Sequence, residues 1–314
     1  MVRRTLALTL YLLVILPMTC FPWGHEGHRI VAKIAAKQLT AETRAKVAAI
    51  LGTTVANLEA AMAEASIWPD EVKFQTKTGN WHFVDVPISG PFDIGTLCAE
   101  HDCVIDRIEE MADRLRDNKT DFVLTGAPQR DSPLFRPVPS QELAFLIHFV
   151  RDVHQPLHSA NDGDKGGNCE KLTTSITHPD PQDKRTTDLH AAWDTDEVLA
   201  VMRELGNEDA TANALFQAFN NGATVQQRTP TEWAHEANSL ARTDVYQALQ
   251  LPNHTAKLGQ CAPDIAKVTV TQQYLDGNVP DVKQQLMRAG IRLGNVLNQI
   301  CGGDGCRADR PQLF

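Results

Sequence analysis

Apolar side chains recur every three or four residues through most of this chain, and that spacing predicts amphipathic helices. The first such stretch covers residues 30–39, where the apolar positions fall on one helical face. Thr40 is placed to cap a second helix, which we expect to run to Leu51 and to stop at Gly52. The pattern in residues 30–51 therefore predicts two successive helices.

Similar patterns continue towards the C-terminus, while few segments show the alternation that is typical of a strand. Helices are predicted at residues 55–66, 104–117, 188–205, 209–220, 230–250 and 280–300, with another that is capped by Ser140. Between these helices we expect a turn at 66–73, an extended segment at 80–87 and a loop at 119–139. The pattern predicts an all-α fold in which the helices of a single domain pack as a bundle.

The N-terminal segment has the features of a secretory signal. Two arginines precede an apolar run of signal-peptide length within residues 1–20. We interpret residues 1–22 as a signal peptide, and an uncleaved anchor is the alternative, because Pro22 is an unusual residue before a cleavage site. No second apolar run of spanning length follows. We therefore expect residues 23–314 to form one secreted or periplasmic domain without stable membrane contact.

Export places the cysteines in an oxidising compartment, where disulfides form. Removal of the signal removes Cys20 and leaves six of the seven cysteines. Close spacing favours two local disulfides and would leave one further pair, namely Cys98–Cys103, Cys301–Cys306 and Cys169–Cys261. Six cysteines allow many other pairings, so the sequence leaves the connectivity open.

The composition is that of an ordinary globular protein, with 42% hydrophobic and 22% charged residues and a formal net charge of −9. Proteins that bind nucleic acid by releasing counter-ions are usually basic. If the substrate is a nucleic acid, its attraction to this chain must be local. Bound metal ions would supply that attraction.

Two histidine–aspartate pairs are candidate metal ligands. His148 and Asp152 are four residues apart, as are His190 and Asp194, so each pair lies on one face of a helix. The apolar sequence FLIHFV predicts that His148 is buried, and a buried carboxylate beside it needs a partner or a metal ion. Surface pairs or local hydrogen bonds are the alternative. The polar stretch 159–187 joins the two pairs, and we expect it to border the site.

These residues belong to a series of motifs that resembles the zinc-dependent class I nucleases, the secreted single-strand-specific nucleases and 3′-nucleotidases. The motifs run from Trp23 to Asp194, and the resemblance extends from Trp23 to near the C-terminus. In order, they are Trp23-Gly24-x-x-Gly27-His28, Trp68-Pro69-Asp70, His82-Phe83-x-Asp85, His148-x3-Asp152-x5-His158 and His190-x3-Asp194. The resemblance implies a monomeric, all-α, disulfide-linked domain of the three-zinc nuclease and phospholipase C type.

The resemblance also implies nine ligands for three zinc ions. One ion would be held by Asp70, His82, His148 and Asp152. A second would be held by His158, His190 and Asp194, and a third by His28, Asp152 and the α-amine and carbonyl oxygen of Trp23. Asp152 would then bridge two ions, and Trp23 would have to be the N-terminal residue.

The implied reaction is hydrolysis of single-stranded DNA and RNA to 5′-mononucleotides by a hydroxide that bridges two zinc ions, with 3′-nucleotidase activity. Asp70 would orient the nucleophile, and Lys73 would stabilise charge on the phosphate. The resemblance assigns base stacking to Phe83 and contacts with the base edge to Asp85 and Asn168. The alternatives are a solvated Lys73, a core position for Phe83, and loop-capping roles for Asp85 and Asn168.

Two other functions share part of this pattern. A zinc-dependent phospholipase C shares the helical fold, but its last ligand pair is His-x3-Glu and its first histidine lies further from the N-terminal tryptophan. A non-catalytic zinc-binding protein is the other alternative. Lys73 and the long polar stretch oppose it, because structural zinc sites are usually closed and rich in cysteine.

Overall fold

The computed structural model describes residues 24–90, 92–176, 186–257 and 259–310. The interpreted signal peptide and the predicted ligand Trp23 lie outside the described residues. None of the described helices is both long enough and apolar enough to cross a membrane.

Helices account for most of the secondary structure in these ranges. The α-helices are α1 His25–Gln38, α2 Ala41–Ile50, α3 Leu58–Thr76, α4 Ile94–Leu97, α5 Val104–Arg116, α6 Val138–Asp152, α7 Leu189–Ala191, α8 Glu197–Leu205, α9 Glu208–Asn220, α10 Pro230–Leu240 and α11 Gln272–Ile300. Short 3₁₀ helices cover Val55–Asn57, Gly79–His82 and Pro156–Ser159, and π-helical turns cover Ala192–Asp196 and Ala241–Gln247. The predicted all-α fold is confirmed.

Helix α6 lies at the centre of the bundle, between α3 and α5 and against α1. Every residue from Pro139 to Asp152 is buried, so both its apolar side chains and its His148 and Asp152 side chains lie inside the protein. Helix α1 also packs closely against α11. This close packing needs a glycine at position 290 of α11, because a Cβ atom there would lie 2.4 Å from Cγ2 of Ile34 on α1.

Several helix boundaries match the predictions. Thr40 caps α2 as expected, since its side chain accepts a hydrogen bond from the backbone N–H of Thr43 at 3.2 Å. Helix α5 covers the predicted segment 104–117 to within one residue. Helix α6 begins at Val138, after Pro137, so the prediction that Ser140 caps it is wrong.

The predicted turn at 66–73 is wrong, because α3 continues through it to Thr76. Pro69 lies inside this helix and cannot donate a backbone hydrogen bond. Burial of Trp68 and Val72 on either side of it holds the helix together against that loss. The error matters for the site, because it places Asp70 and Lys73 on a helix instead of a flexible turn.

Two further predictions need correction. Residues 79–82 form a 3₁₀ helix before the chain becomes extended at Phe83, so the extended segment is shorter than predicted. Helix α11 begins at Gln272, well before residue 280, because Thr271 caps it and Pro280 is accommodated within it. Pro280 sits in a long helix whose buried side packs on α1.

The polar stretch 159–187 contains part of a small antiparallel sheet. Strand β1, Lys171–Ile176, pairs with β2, Thr186–Asp188. The stretch is therefore more ordered than a loop, although residues 177–185 lie outside the described residues.

Three disulfides link the described chain, and they are the predicted pairs. They join Cys98 to Cys103, Cys301 to Cys306, and Cys169 to Cys261. The last one spans 92 residues and ties the polar stretch to the segment before α11. Closing so long a loop removes much conformational freedom from the unfolded chain.

Candidate metal centre

Five of the predicted ligands converge at the buried middle of the bundle and form what we call the first cluster. They are His28 from α1, Asp70 from α3, His82 from the following 3₁₀ helix, and His148 and Asp152 from α6. The Nδ1 atom of His82 and the Nε2 atom of His148 each lie 3.0 Å from Oδ2 of Asp152. The same two nitrogens lie 3.8 Å from Oδ1 of Asp70. These donors surround a common point.

The other three predicted ligands form the second cluster. The Nε2 atom of His158 lies 3.3 Å from Oδ1 of Asp194, and the Nε2 atom of His190 lies 3.4 Å from its Oδ2. Asp194 lies in the π-helical turn at 192–196, a rare conformation that often occurs at functional sites. The predicted helical spacing brings His190 and Asp194 together, although the helix there is not a regular α-helix.

Asp152 connects the two clusters. Its Oδ2 atom faces His82 and His148, while its Oδ1 atom lies 3.4 Å from Nε2 of His28 and 3.6 Å from Nδ1 of His158. The Asp152 side chain is only 1% exposed. A carboxylate at this position can contribute one oxygen to each of two neighbouring ions.

Backbone carbonyls fix the orientation of three imidazoles. The Nδ1 atoms donate hydrogen bonds, at 2.7–2.8 Å, from His148 to the carbonyl of Ser66, from His158 to that of His82, and from His190 to that of Gly166. A carbonyl can only accept, so the neutral rings carry their hydrogen on Nδ1 and leave a lone pair on Nε2. This support is typical of histidines that ligate a metal ion.

The hydrogen-bonding of the clusters fits a cation. His158 Nε2 and Asp152 Oδ1 are buried without a hydrogen-bond partner among the described residues. Buried polar atoms normally have a partner, and the Oδ1 atom of Asp194 that lies 3.3 Å from Nε2 of His158 is itself an acceptor. Within each cluster three ligand atoms lie within 4.8 Å of one another. Imidazole nitrogen and carboxylate oxygen are donors that suit zinc.

The carboxylates are ionised in this setting. Burial alone would raise the pKa of Asp70, but His148, Lys73 and His82 together hold it below its usual range. Burial would likewise raise the pKa of Asp194, but Arg151, His158 and His190 hold it well below its usual range. The clusters therefore present negative charge to an ion.

The pKa values of four ligand histidines shift in two different directions. Burial lowers the pKa of His28 and of His82, which keeps these rings neutral. Burial also opposes the charged form of His148 and His190, but the aspartates beside them outweigh it and raise both pKa values. The neighbouring aspartates therefore favour the charged forms of these two rings when no metal ion is bound.

Sequence reasoning missed two residues that hold Asp194. The guanidinium of Arg151 lies 2.7 Å from Oδ1 of Asp194, and the amide of Gln155 donates to the same oxygen at 3.0 Å. Both residues come from the end of α6 and the turn after it. The available signal was an arginine in the apolar FLIHFVRD segment, because a buried arginine needs a partner.

The structure brings Lys73 to the first cluster. Its Nζ atom lies 2.7 Å from Oδ1 of Asp70, one helical turn earlier on α3. Burial lowers the pKa of Lys73, but Asp70 more than offsets this effect and raises it, so the side chain is a cation. The alternative of a purely solvated lysine does not describe this position.

The three residues that were predicted to contact the base differ in their burial and their hydrogen bonds. Phe83 follows the ligand His82 and is half-buried, as is Asp85, while Val84 between them is buried. Period-two alternation puts Phe83 and Asp85 on one side of the extended segment, and burial raises the pKa of Asp85. Asn168 is exposed, and its amide donates to the carbonyl of Lys165 at 2.8 Å. Asn168 thus has the loop-capping contact that was its alternative role.

Comparison with known proteins shows that this chain is similar to nucleases. Residues 23–302 match the model of a family described as S1/P1 Nuclease. Nuclease P1 of Penicillium citrinum is 27% identical over 308 residues, which cover 90% of this chain and 99% of that protein. Endonuclease 2 of Arabidopsis thaliana is 27% identical over 295 residues, covering 89% and 91%. Nuclease S1 of Aspergillus oryzae is 26% identical over 305 residues, covering 89% and 92%.

Proposed function

The chain belongs to the S1/P1 nuclease family and hydrolyses phosphodiester bonds of nucleic acids, and from this premise we propose that it is a secreted, three-zinc, single-strand-specific nuclease. The observation that carries the proposal is a buried histidine–aspartate cluster and a partly buried one, connected by Asp152. Such an arrangement suits several ions close together, as in the two-metal sites of nucleases and phosphatases.

We assign the ligands as the resemblance implies. The first ion is held by Asp70, His82, His148 and Asp152, and the second by His158, His190 and Asp194. The third is held by His28, Asp152 and the N-terminal Trp23. When bound, the ions lower the pKa of a water molecule and neutralise charge on the phosphate.

The position of Gly24 supports a role for the N-terminus. A Cβ atom on Gly24 would lie 3.2 Å from Cβ of Asp194, so the first described residue lies directly against the second cluster. Cleavage after Pro22 would place a free α-amine one residue away. A chain processed elsewhere lacks that amine as a donor, and we expect it to lose the third ion. Mass analysis of the secreted protein determines the N-terminus.

The residues around the ions orient the reactants. Asp70 accepts a hydrogen bond from the attacking water, and Lys73, bonded to the same carboxylate, places positive charge near the phosphate. The bond between phosphorus and the 3′ oxygen breaks, so the products carry a 5′-phosphate and a 3′-hydroxyl. The same chemistry on a terminal phosphate is the proposed 3′-nucleotidase activity.

Base recognition provides the single-strand preference. Phe83 stacks on an unpaired base, an interaction that contributes about 1–3 kcal/mol and accepts any base. A base inside a duplex is already stacked on both faces and cannot reach the ring. Asp85 and Asn168 contact the base edge, and Asn168 must exchange its bond to Lys165 to do so.

The proposal is tested with the purified secreted protein. Single-stranded DNA, duplex DNA, RNA and phosphatidylcholine are incubated with the protein, each with and without chelator and added zinc. We expect zinc-dependent release of 5′-mononucleotides from single strands, slower attack on duplex and no attack on lipid. Lipid hydrolysis would indicate a phospholipase C, and zinc-independent cleavage would contradict the metal assignment. Gel filtration tests the expected monomer.

A further inference from the structure

One face of α3 carries charged and aromatic side chains outwards from the first cluster. Asp70, Lys73 and Phe74 occupy positions i, i+3 and i+4 of α3, which lie on the same side of the helix, and Lys77 follows Thr76 as the left-handed C-cap. Asp70 belongs to the cluster, and Lys77 is the residue that ends the helix. We call Lys73, Phe74 and Lys77 the α3 stripe. The stripe alternates cation, aromatic ring and cation as it leaves the metal centre.

Phe74 is the unusual member of the α3 stripe. Its side chain is 88% exposed, although a phenylalanine is normally buried. Single exposed apolar residues need no explanation in general, and Val123 is 84% exposed as well. The surroundings distinguish Phe74, because Nζ of Lys73 lies 5.9 Å from the centre of its ring. The same ammonium group bonds to Asp70 at 2.7 Å.

The composition of the α3 stripe suits a nucleic-acid strand. Lys73 and Lys77 lie four residues apart, about 6 Å along the helix axis, with Phe74 between them in the sequence. Both lysines are cations next to an exposed ring. Proteins that bind single strands combine such cations, which follow the phosphates, with rings on which bases stack. The local positive charge is also notable in a chain of net charge −9.

We propose that Phe74 and Lys77 form a second stacking position, which binds the nucleotide next to the one held at the metal centre. This inference rests on the proposed single-strand nuclease function. The ring of Phe74 stacks on the neighbouring base, and Lys77 contacts the following phosphate. A 3′-mononucleotide has no second base and gains nothing from this position. The α3 stripe therefore makes the enzyme favour oligonucleotides over mononucleotides.

The test compares a single-stranded oligonucleotide with a nucleoside 3′-monophosphate on the zinc-loaded enzyme. We expect Phe74→Ala to raise KM for the oligonucleotide at least about fivefold, which corresponds to about 1 kcal/mol of stacking. Its kcat and its KM for the mononucleotide should stay at the wild-type values. Phe74→Trp should restore the oligonucleotide KM, because it restores the ring. Lys77→Gln should reduce the salt dependence of the oligonucleotide KM.

Val123→Ala is the matched control, since it removes an equally exposed apolar side chain elsewhere. An unchanged oligonucleotide KM in Phe74→Ala would overturn the inference, as would an equal rise for both substrates or an equal rise in Val123→Ala. These results would leave the proposed function intact as long as the wild-type enzyme cleaves both substrates. A wild-type enzyme that cleaves neither would overturn both proposals.

Discussion

The two clusters hold their central carboxylates in different ways. Asp152 of the first cluster is enclosed by imidazoles, and its nearest fixed cation is the Arg151 guanidinium, 3.8 Å from Oδ1. Asp194 of the second cluster is 14% exposed and already accepts hydrogen bonds from Arg151 and Gln155. Asp152 thus relies mainly on groups that can be neutral, whereas Asp194 has a permanent positive charge in direct contact with its carboxylate.

The two carboxylates therefore differ in how much they depend on bound ions. A buried carboxylate that lies 3.8 Å from its nearest fixed cation is costly, so Asp152 depends more on the ions that we propose it shares. Asp194 is oriented before any ion arrives, because the guanidinium of Arg151 is charged at every relevant pH. We expect substitutions in the first cluster to cause the larger losses.

The largest effect is expected from Asp152→Asn. This change weakens the ligand that connects both clusters, so we expect the loss of at least two ions and a fall in activity of more than about 100-fold. Metal content by mass spectrometry and hydrolysis of single-stranded DNA measure the two losses. The matched control is Asp131→Asn, which alters an exposed aspartate. Full metal content in Asp152→Asn would refute its bridging position.

A smaller and more local effect is expected from Asp194→Asn. The second cluster should lose its ion, while the first cluster, whose ligands are unchanged, should keep its own. Metal content should fall by one ion per chain, and activity by about 10–100-fold. If this variant loses as much metal as Asp152→Asn, the two clusters are one cooperative unit and the contrast between them is wrong.

Arg151 supplies the next test, because it orients Asp194 without being a proposed ligand. Arg151→Gln removes the charge beside the carboxylate, and we expect zinc affinity at the second cluster to fall by about tenfold. Competition with a chromophoric chelator measures that affinity. Arg116→Gln, at an exposed arginine of α5, serves as the control. Zinc binding at the wild-type affinity would show that Gln155 and the π-helical turn suffice to position Asp194.

The smallest effect is a pH dependence of thermal stability. In the metal-free protein the raised pKa of His148 and His190 means that their stabilising contribution is complete below the unfolded value of 6.5. That contribution is lost as the pH rises through the folded pKa values. The pKa of Asp194 is lowered in the folded protein, so this carboxylate contributes stability at pH values above its unfolded pKa. That contribution is lost only in strong acid, as the pH falls through the folded pKa.

Zinc binding has the opposite dependence on the histidines, because ligands must be deprotonated. The difference in Tm between zinc-loaded and metal-free protein should therefore widen between about pH 5 and pH 8. Differential scanning fluorimetry with and without chelator measures it. Below the mildly acidic range we also expect irreversible loss of zinc. A Tm difference that narrows as the pH rises would contradict the assignment of these histidines as ligands.

Sequence patterns predicted the parts of the site that depend on local spacing. His148 and Asp152 are adjacent on a continuous apolar helix, so the four-residue spacing was enough to place them together. Short spacing also predicted the disulfides Cys98–Cys103 and Cys301–Cys306, whose cysteines are five residues apart. The turn predicted at Pro69 failed because the packing of Trp68 and Val72, which only the folded bundle provides, outweighs the local effect of proline.

The remaining features depend on contacts between distant segments. Arg151 reaches Asp194 across 43 residues, and no local pattern shows which carboxylate a buried arginine will meet. The carbonyl groups of Ser66, His82 and Gly166 orient three histidines, but a backbone carbonyl has no signature in the sequence. The exposed position of Phe74 likewise follows only from the continuation of α3 to Thr76, which the pattern around Pro69 does not predict.

We propose that the two clusters and the N-terminus together hold three zinc ions. The most direct test is a crystal structure of the secreted protein with anomalous diffraction measured on both sides of the zinc absorption edge. We expect three peaks: one among Asp70, His82, His148 and Asp152, one among His158, His190 and Asp194, and one beside His28 and Asp152. Peaks elsewhere, or an absence of zinc from a protein active on single strands, would contradict the account.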